Sequence, residues 1–100
     1  MENFFGKDYE SVAKSQTTQS LGPVGAKGDI LERLIIIPET TGAGTVAIKD
    51  GSGTAVNVFV AGTLADLRPI VIDVGARSML GAWQVTTGDN VHVIAVGQFS

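Results

Sequence analysis

At 100 residues the chain holds one domain and no second, and it is long enough to bury a continuous core without covalent staples. Hydrophobic residues at 44% and charged residues at 17% exclude the disordered class, and zero cysteines exclude a disulfide framework or a thiolate metal site. The net charge is −3 and no two of the seven Lys and Arg are adjacent, which argues against nucleic acid, because phosphate neutralisation needs clustered cations.

The first twenty residues differ from the rest. Met1 to Ser20 carries three acidic and two basic residues and ends in the polar string Ser15-Gln16-Thr17-Thr18-Gln19-Ser20. Phe4, Phe5, Tyr9 and Val12 fall at spacings near four, which suits one side of a short helix. A frayed terminus is the plain reading. An aromatic pair in a polar tail better suits a partner-binding arm anchored by Phe4, Phe5 and Tyr9, so residues 1–20 are expected to form an arm and 21–100 the folded domain.

Leu21 to Asp29 reads as a Gly/Pro loop, with Pro23 confined to an edge or bulge because it lacks an N–H. Ile30 to Ile37 is the first strong strand, stopped by Pro38. Thr45 to Lys49 follows with Val46 and Ile48 on one face, and Asp50-Gly51 signals a hairpin into Ala55 to Val60. There Val56, Val58 and Val60 are expected on one side, Asn57 and Phe59 on the other. Residues 61–68 fit one helical turn or a loop, ended by Pro69. Pro69 to Val74 alternates as a strand, and Gly75-Ala76-Arg77-Ser78 reads as a turn. Gly81 to Thr87 places Trp83, Val85 and Thr87 on one face. Gly88-Asp89-Asn90 turns the chain into a last strand, Val91 to Val96, with Val91, Val93 and Ala95 together.

Six or seven short strands separated by turn chemistry, with no βαβ alternation, predict an all-β fold: a small β-sandwich or jelly roll with an extended N-terminal arm. Thirteen glycines, against a usual share of about 7%, suit its tight turns. Apolar runs such as Leu34 to Ile37 are far too short to span a bilayer, and no secretory leader is visible. Synthesis in a cytoplasm and no membrane partner are therefore expected.

No set of side chains declares an activity. His92 is the single histidine, mid-strand between valines, where a packed or half-exposed residue outweighs a metal ligand. The serines lack nucleophile-elbow context, and nothing in the spacing pairs two carboxylates for hydrolysis. Asp50-Gly51-Ser52-Gly53 offers one carboxylate, too few oxygens for calcium. Gly42 with Gly44 and Gly51 with Gly53 precede no helix that could cradle phosphate. Trp83 reads first as a core anchor and only second as a sugar-stacking platform. No enzyme activity, metal or cofactor is expected.

Three segments resemble a family of small virion proteins of tailed bacteriophages. They are Leu21-Gly22-Pro23-Val24-Gly25-Ala26-Lys27-Gly28-Asp29-Ile30-Leu31-Glu32, Ile48-Lys49-Asp50-Gly51-Ser52-Gly53-Thr54-Ala55 and Gly81-Ala82-Trp83-Gln84-Val85-Thr86-Thr87-Gly88. The likeness covers residues 9 to 100 and consists of turn-and-strand signatures, informative about fold and silent about chemistry. It implies a capsid decoration (cement) protein seated on the head shell, with the major capsid protein as partner and the virion as its location. The excess of Val and Ile separately suggests a self-associating patch and a homo-dimer or trimer. Alternatives are a tail or fibre-attachment component of the virion and a carbohydrate-binding β-sandwich module.

Overall fold

The computed structural model describes residues 8–22, 27–39, 44–60 and 68–99, and among them there is no helix. Eight strands are present: β1 (Asp8–Val12), β2 (Gln19–Ser20), β3 (Ile30–Pro38), β4 (Val46–Asp50), β5 (Val56–Phe59), β6 (Ile70–Arg77), β7 (Trp83–Thr87) and β8 (Val91–Gln98). They form two four-stranded antiparallel sheets, ordered β1-β8-β3-β6 and β2-β7-β4-β5. First pairs with last, second with second-to-last, and so inward to the β4–β5 hairpin. One long hairpin is thus rolled over itself into a sandwich, which is the jelly-roll arrangement of eight strands.

The inward faces follow the period of two. On β8, Val91, Val93 and Ala95 are fully buried while His92, Ile94 and Val96 are only half-buried. Leu34 and Ile36 of β3 and Val12 of β1 join them from the first sheet, against Val46, Phe59, Trp83 and Val85 from the second. Trp83 is the core anchor, 7% exposed, and its indole N–H donates to the Asp29 carbonyl at 3.1 Å. That bond removes the cost of burying the one polar atom of the ring.

Residues 8–20 do not form a separate arm or a helical face. Asp8–Val12 is an edge strand on β8, with Tyr9 opposite Val96 and Val12 opposite Val93. The polar string after it is stitched to β7 and the loop beyond. Gln19 and Ser20 pair with Val85 and Gln84, the Thr18 N–H donates to Thr86 Oγ1 at 3.0 Å, and the Ser15 N–H donates to the Gly88 carbonyl at 2.9 Å. Glu10 ties the two edges together, accepting from Gln19 Nε2 at 2.8 Å and from the Gly22 N–H at 2.7 Å. Polar side chains that look like solvated tail are here the hydrogen-bond partners of a strand crossover, so the boundary expected at Leu21 falls inside the sandwich. Residues 1–7, with Phe4 and Phe5, lie outside the described residues, as do the Pro23 segment and the ambiguous stretch up to Leu67.

Three bulges shift the expected faces. Val58 is an extra residue of β5 between partners of Val46 and Ala47, so Phe59 turns inward opposite Val46 while Asn57 faces outward opposite Ala47. Asn57 and Phe59 therefore lie on opposite sides of the sheet, not together. In β6 the expected turn at Gly75 is a bulge: the strand continues to Arg77, and Gly75 adopts φ +62°, a left-handed conformation that glycine takes without a Cβ penalty. Across from it the pairing of β3 with β8 also shifts register between Leu31 and Arg33.

Candidate functional site

Tyr9 is the one expected anchor among the described residues, and it is 71% exposed on the outward face of β1. It stands at one corner of a broader surface, the outer face of the β1-β8-β3-β6 sheet. Register places Tyr9, Val96, Arg33 and Asp73 in one row across the four strands. The next row is Ser11, Ile94, Ile35 and Val71, and beyond it His92 stands beside Ile37. Val71 is 58% exposed, and Ile35, Ile37, Ile94 and Val96 are half-buried. An aliphatic band thus crosses a sheet face that no described element covers.

The outer rows of the second sheet are Ser20, Gln84 and Lys49, and then Thr86, Ala47 and Asn57, mostly polar as on the water-facing side of an antiparallel sheet, although Val56 and Val60 at its β5 edge are 57% and 53% exposed. On the first sheet the coat is missing, and Leu34-Ile35-Ile36-Ile37 and Val93-Ile94-Ala95-Val96 read as strands apolar on both faces. Val71 forgoes part of the roughly 1.5–3 kcal/mol that full burial of such a side chain would return, and the half-buried isoleucines and Val96 forgo less. The unbroken apolar runs were the signal for this face, but only the register assembles them into rows.

Charged groups border the band at both ends. Arg33 Nε and Asp73 Oδ1 approach to 3.9 Å, an exposed pair worth little to stability. At the other end His92 Nδ1 lies 3.1 Å from Glu39 Oε2, and Lys14 Nζ lies 3.9 Å from Glu39 Oε1. These three side chains line a shallow depression of about 410 Å³ together with Ser11, Val12 and Ala13. One imidazole hydrogen-bonded to one carboxylate, with a lysine beside it, is a polar cluster and not a metal cage. Among the described residues no three His, Cys, Asp or Glu side chains converge on a metal position.

A second exposed apolar feature lies on the β6–β7 loop. Met79 and Leu80 are 71% and 58% exposed, yet their backbone is fixed. The Asp50 carboxylate accepts the Met79 N–H at 2.9 Å and the Leu80 N–H at 3.1 Å. Gly51 packs so tightly beneath that a Cβ there would sit 2.4 Å from the Gly81 nitrogen. The Asp50–Gly51 turn and the Met79-Leu80-Gly81 segment thus lock one another. Trp83, in contrast, offers no stacking platform, since its ring is buried between the sheets. No protein-family model, no curated protein and no solved structure matches this chain.

Proposed function

We propose that this chain is a non-enzymatic structural protein of a tailed-bacteriophage virion, a capsid decoration (cement) protein that binds and stabilises the head shell. The observation that carries this reading is the aliphatic outer face of the first sheet, which no described element covers and which suits contact with another protein. A cement protein needs contacts to its own copies and to the major capsid protein. Two separate apolar features, the sheet face and the pinned Met79–Leu80 loop, are available for them. The turn-and-strand resemblance to small phage virion proteins supplies the setting, with synthesis in the host cytoplasm and incorporation into the virion. No cofactor, nucleic acid or membrane enters the role.

Adding the purified protein to phage heads assembled without it tests the reading. Co-sedimentation with the heads and regular density on their outer surface in electron microscopy are expected. Density confined to the tail, or binding to glycans with none to heads, would replace it with the tail-component or carbohydrate-binding alternative.

A further inference from the structure

We propose that the Asp50–Gly51 bond is the chain's site of aspartate isomerisation, and that the lock between this turn and the Met79–Leu80 loop holds the reaction off in the folded state. The inference goes beyond the assembly role proposed above and does not rest on it.

The chemistry starts in the sequence. The backbone nitrogen that follows an aspartate can attack its side-chain carboxyl. An N–Cγ bond forms, a carboxyl C–O bond breaks and water leaves, giving a five-membered succinimide. Water then reopens the ring, mostly at the α-carbonyl, and the main chain afterwards runs through Cβ and Cγ of an isoaspartate. A side chain on the attacking residue hinders the approach, and glycine has none. Asp50-Gly51 is the one Asp-Gly pair in the chain, and there is no Asn-Gly pair. The other aspartates precede Tyr9, Ile30, Leu67, Val74 and Asn90.

The fold engages every group that this ring needs. The attacking atom, the Gly51 nitrogen, donates its proton to the Ala82 carbonyl at 2.9 Å. The carboxyl oxygens of Asp50 accept the Met79 N–H at 2.9 Å and the Leu80 N–H at 3.1 Å. The Asp50 carbonyl, which becomes part of the ring, accepts the Gly53 N–H at 2.7 Å. Closure discharges the Gly51 proton and one carboxyl oxygen. The bond to Ala82 is then lost outright, and the two-oxygen grip on the Met79 and Leu80 amides falls to one oxygen. Nor has Gly51 room to turn its nitrogen toward Cγ, since a Cβ on it would already sit 2.4 Å from the Gly81 nitrogen. Each hydrogen bond that must be given up lowers the reactive population several-fold, so the reaction runs from molecules whose lock has opened. Its product adds a methylene to the turn and moves the free carboxyl away from the two amides. Isomerisation is therefore a one-way opening of the lock.

Incubating the full chain at neutral pH and body temperature, with and without guanidinium chloride, tests this. Peptide mapping and enzymatic methylation of isoaspartate give the readout. In denaturant, isoaspartate should accumulate at residue 50 ahead of every other aspartate, and in native buffer about tenfold or more slowly. Met79→Pro removes one donor N–H and leaves the Asp50–Gly51 bond untouched. It should bring the native rate toward the denatured one while the thermal melt stays cooperative. Gly81→Ala disturbs the lock from its other side, where a Cβ would sit 3.0 Å from the Gly51 α-carbon, and it decides the matter if Met79→Pro fails to fold. Thr87→Val, at the far end of β7 from the residue paired with Asp50, should leave the native rate unchanged. Equal rates in native buffer and denaturant, isoaspartate concentrated at a different residue, or an acceleration by Thr87→Val equal to that of the lock variants overturns the proposal.

Discussion

Thr87 and Gln16 bind each other twice: the Thr87 N–H donates to the Gln16 carbonyl at 2.9 Å, and the Gln16 N–H donates to Thr87 Oγ1 at 2.9 Å. The Thr87 hydroxyl also donates to the Ala13 carbonyl, and the residue is only 4% exposed. One side chain at the end of β7 therefore holds the β1–β2 crossover onto the sandwich. Thr87→Val keeps the shape and removes both hydroxyl bonds, leaving polar backbone groups unsatisfied in a part-buried site. A loss of about 1–3 kcal/mol is expected, read as a lower urea midpoint at unchanged slope, with Thr87→Ser close to the natural chain.

Asp50→Ala removes the acceptor that fixes the Met79 and Leu80 amides. It should cost about 1–2 kcal/mol, with Asp50→Asn retaining part of that because its amide oxygen still accepts. Hydrogen exchange should speed at Met79 and Leu80 far more than in β8. Unchanged exchange at those two amides in the alanine variant would contradict the role given to the carboxylate.

Gly97 and Gly75 separate steric crowding from backbone strain. A Cβ on Gly97 would sit 2.0 Å from the Ile30 carbonyl oxygen, so β3 and β8 would have to part. Around Gly75 the same atom meets nothing within 4 Å, and only its positive φ of 62° opposes a side chain. Gly97→Ala should thus cost about 3 kcal/mol or more, and Gly75→Ala about 1 kcal/mol. Thermal melts of the two variants rank them directly.

Trp83→Ala should cost about 3–5 kcal/mol, the range for truncating a large aromatic between packed sheets. Because Trp83 is the single tryptophan, native emission should be blue-shifted and poorly quenched by iodide. Red-shifted emission from the folded protein would place the ring in water and refute its burial.

Much of the strand pattern was legible in the residues. The period-two runs of β3, β6, β7 and β8 stand out because one face of each packs on the core, and Asp50-Gly51 marks a hairpin through its turn chemistry. What stayed hidden depends on partners distant in the chain. Asp8–Val12 has no apolar alternation of its own and becomes a strand only because β8 offers a free edge. Gly88-Asp89-Asn90 carries the same residues as a hairpin turn, yet it passes the chain from one sheet to the other. Gly75 permits a turn and a bulge equally, and the β3 register selects the bulge. The candidate face was visible as an excess of Val and Ile, but not as a place: Ile94, Ile35 and Val71 come from three strands and share a row only through pairing.

The concentric pairing of strands has a consequence for how the chain reaches this state. The β4–β5 contact closes a short loop, β3 with β6 a longer one, and β1 with β8 must wait until nearly the whole chain lies between them. Closure entropy grows with each step outward, so formation runs from the centre of the sequence toward both ends and is slow compared with helical proteins of this size. Substitutions in the Asp50–Gly51 turn should accordingly retard refolding, whereas those in β1, formed after the rate-limiting step, should chiefly hasten unfolding. The two arms of a chevron plot would record the order in which the roll closes.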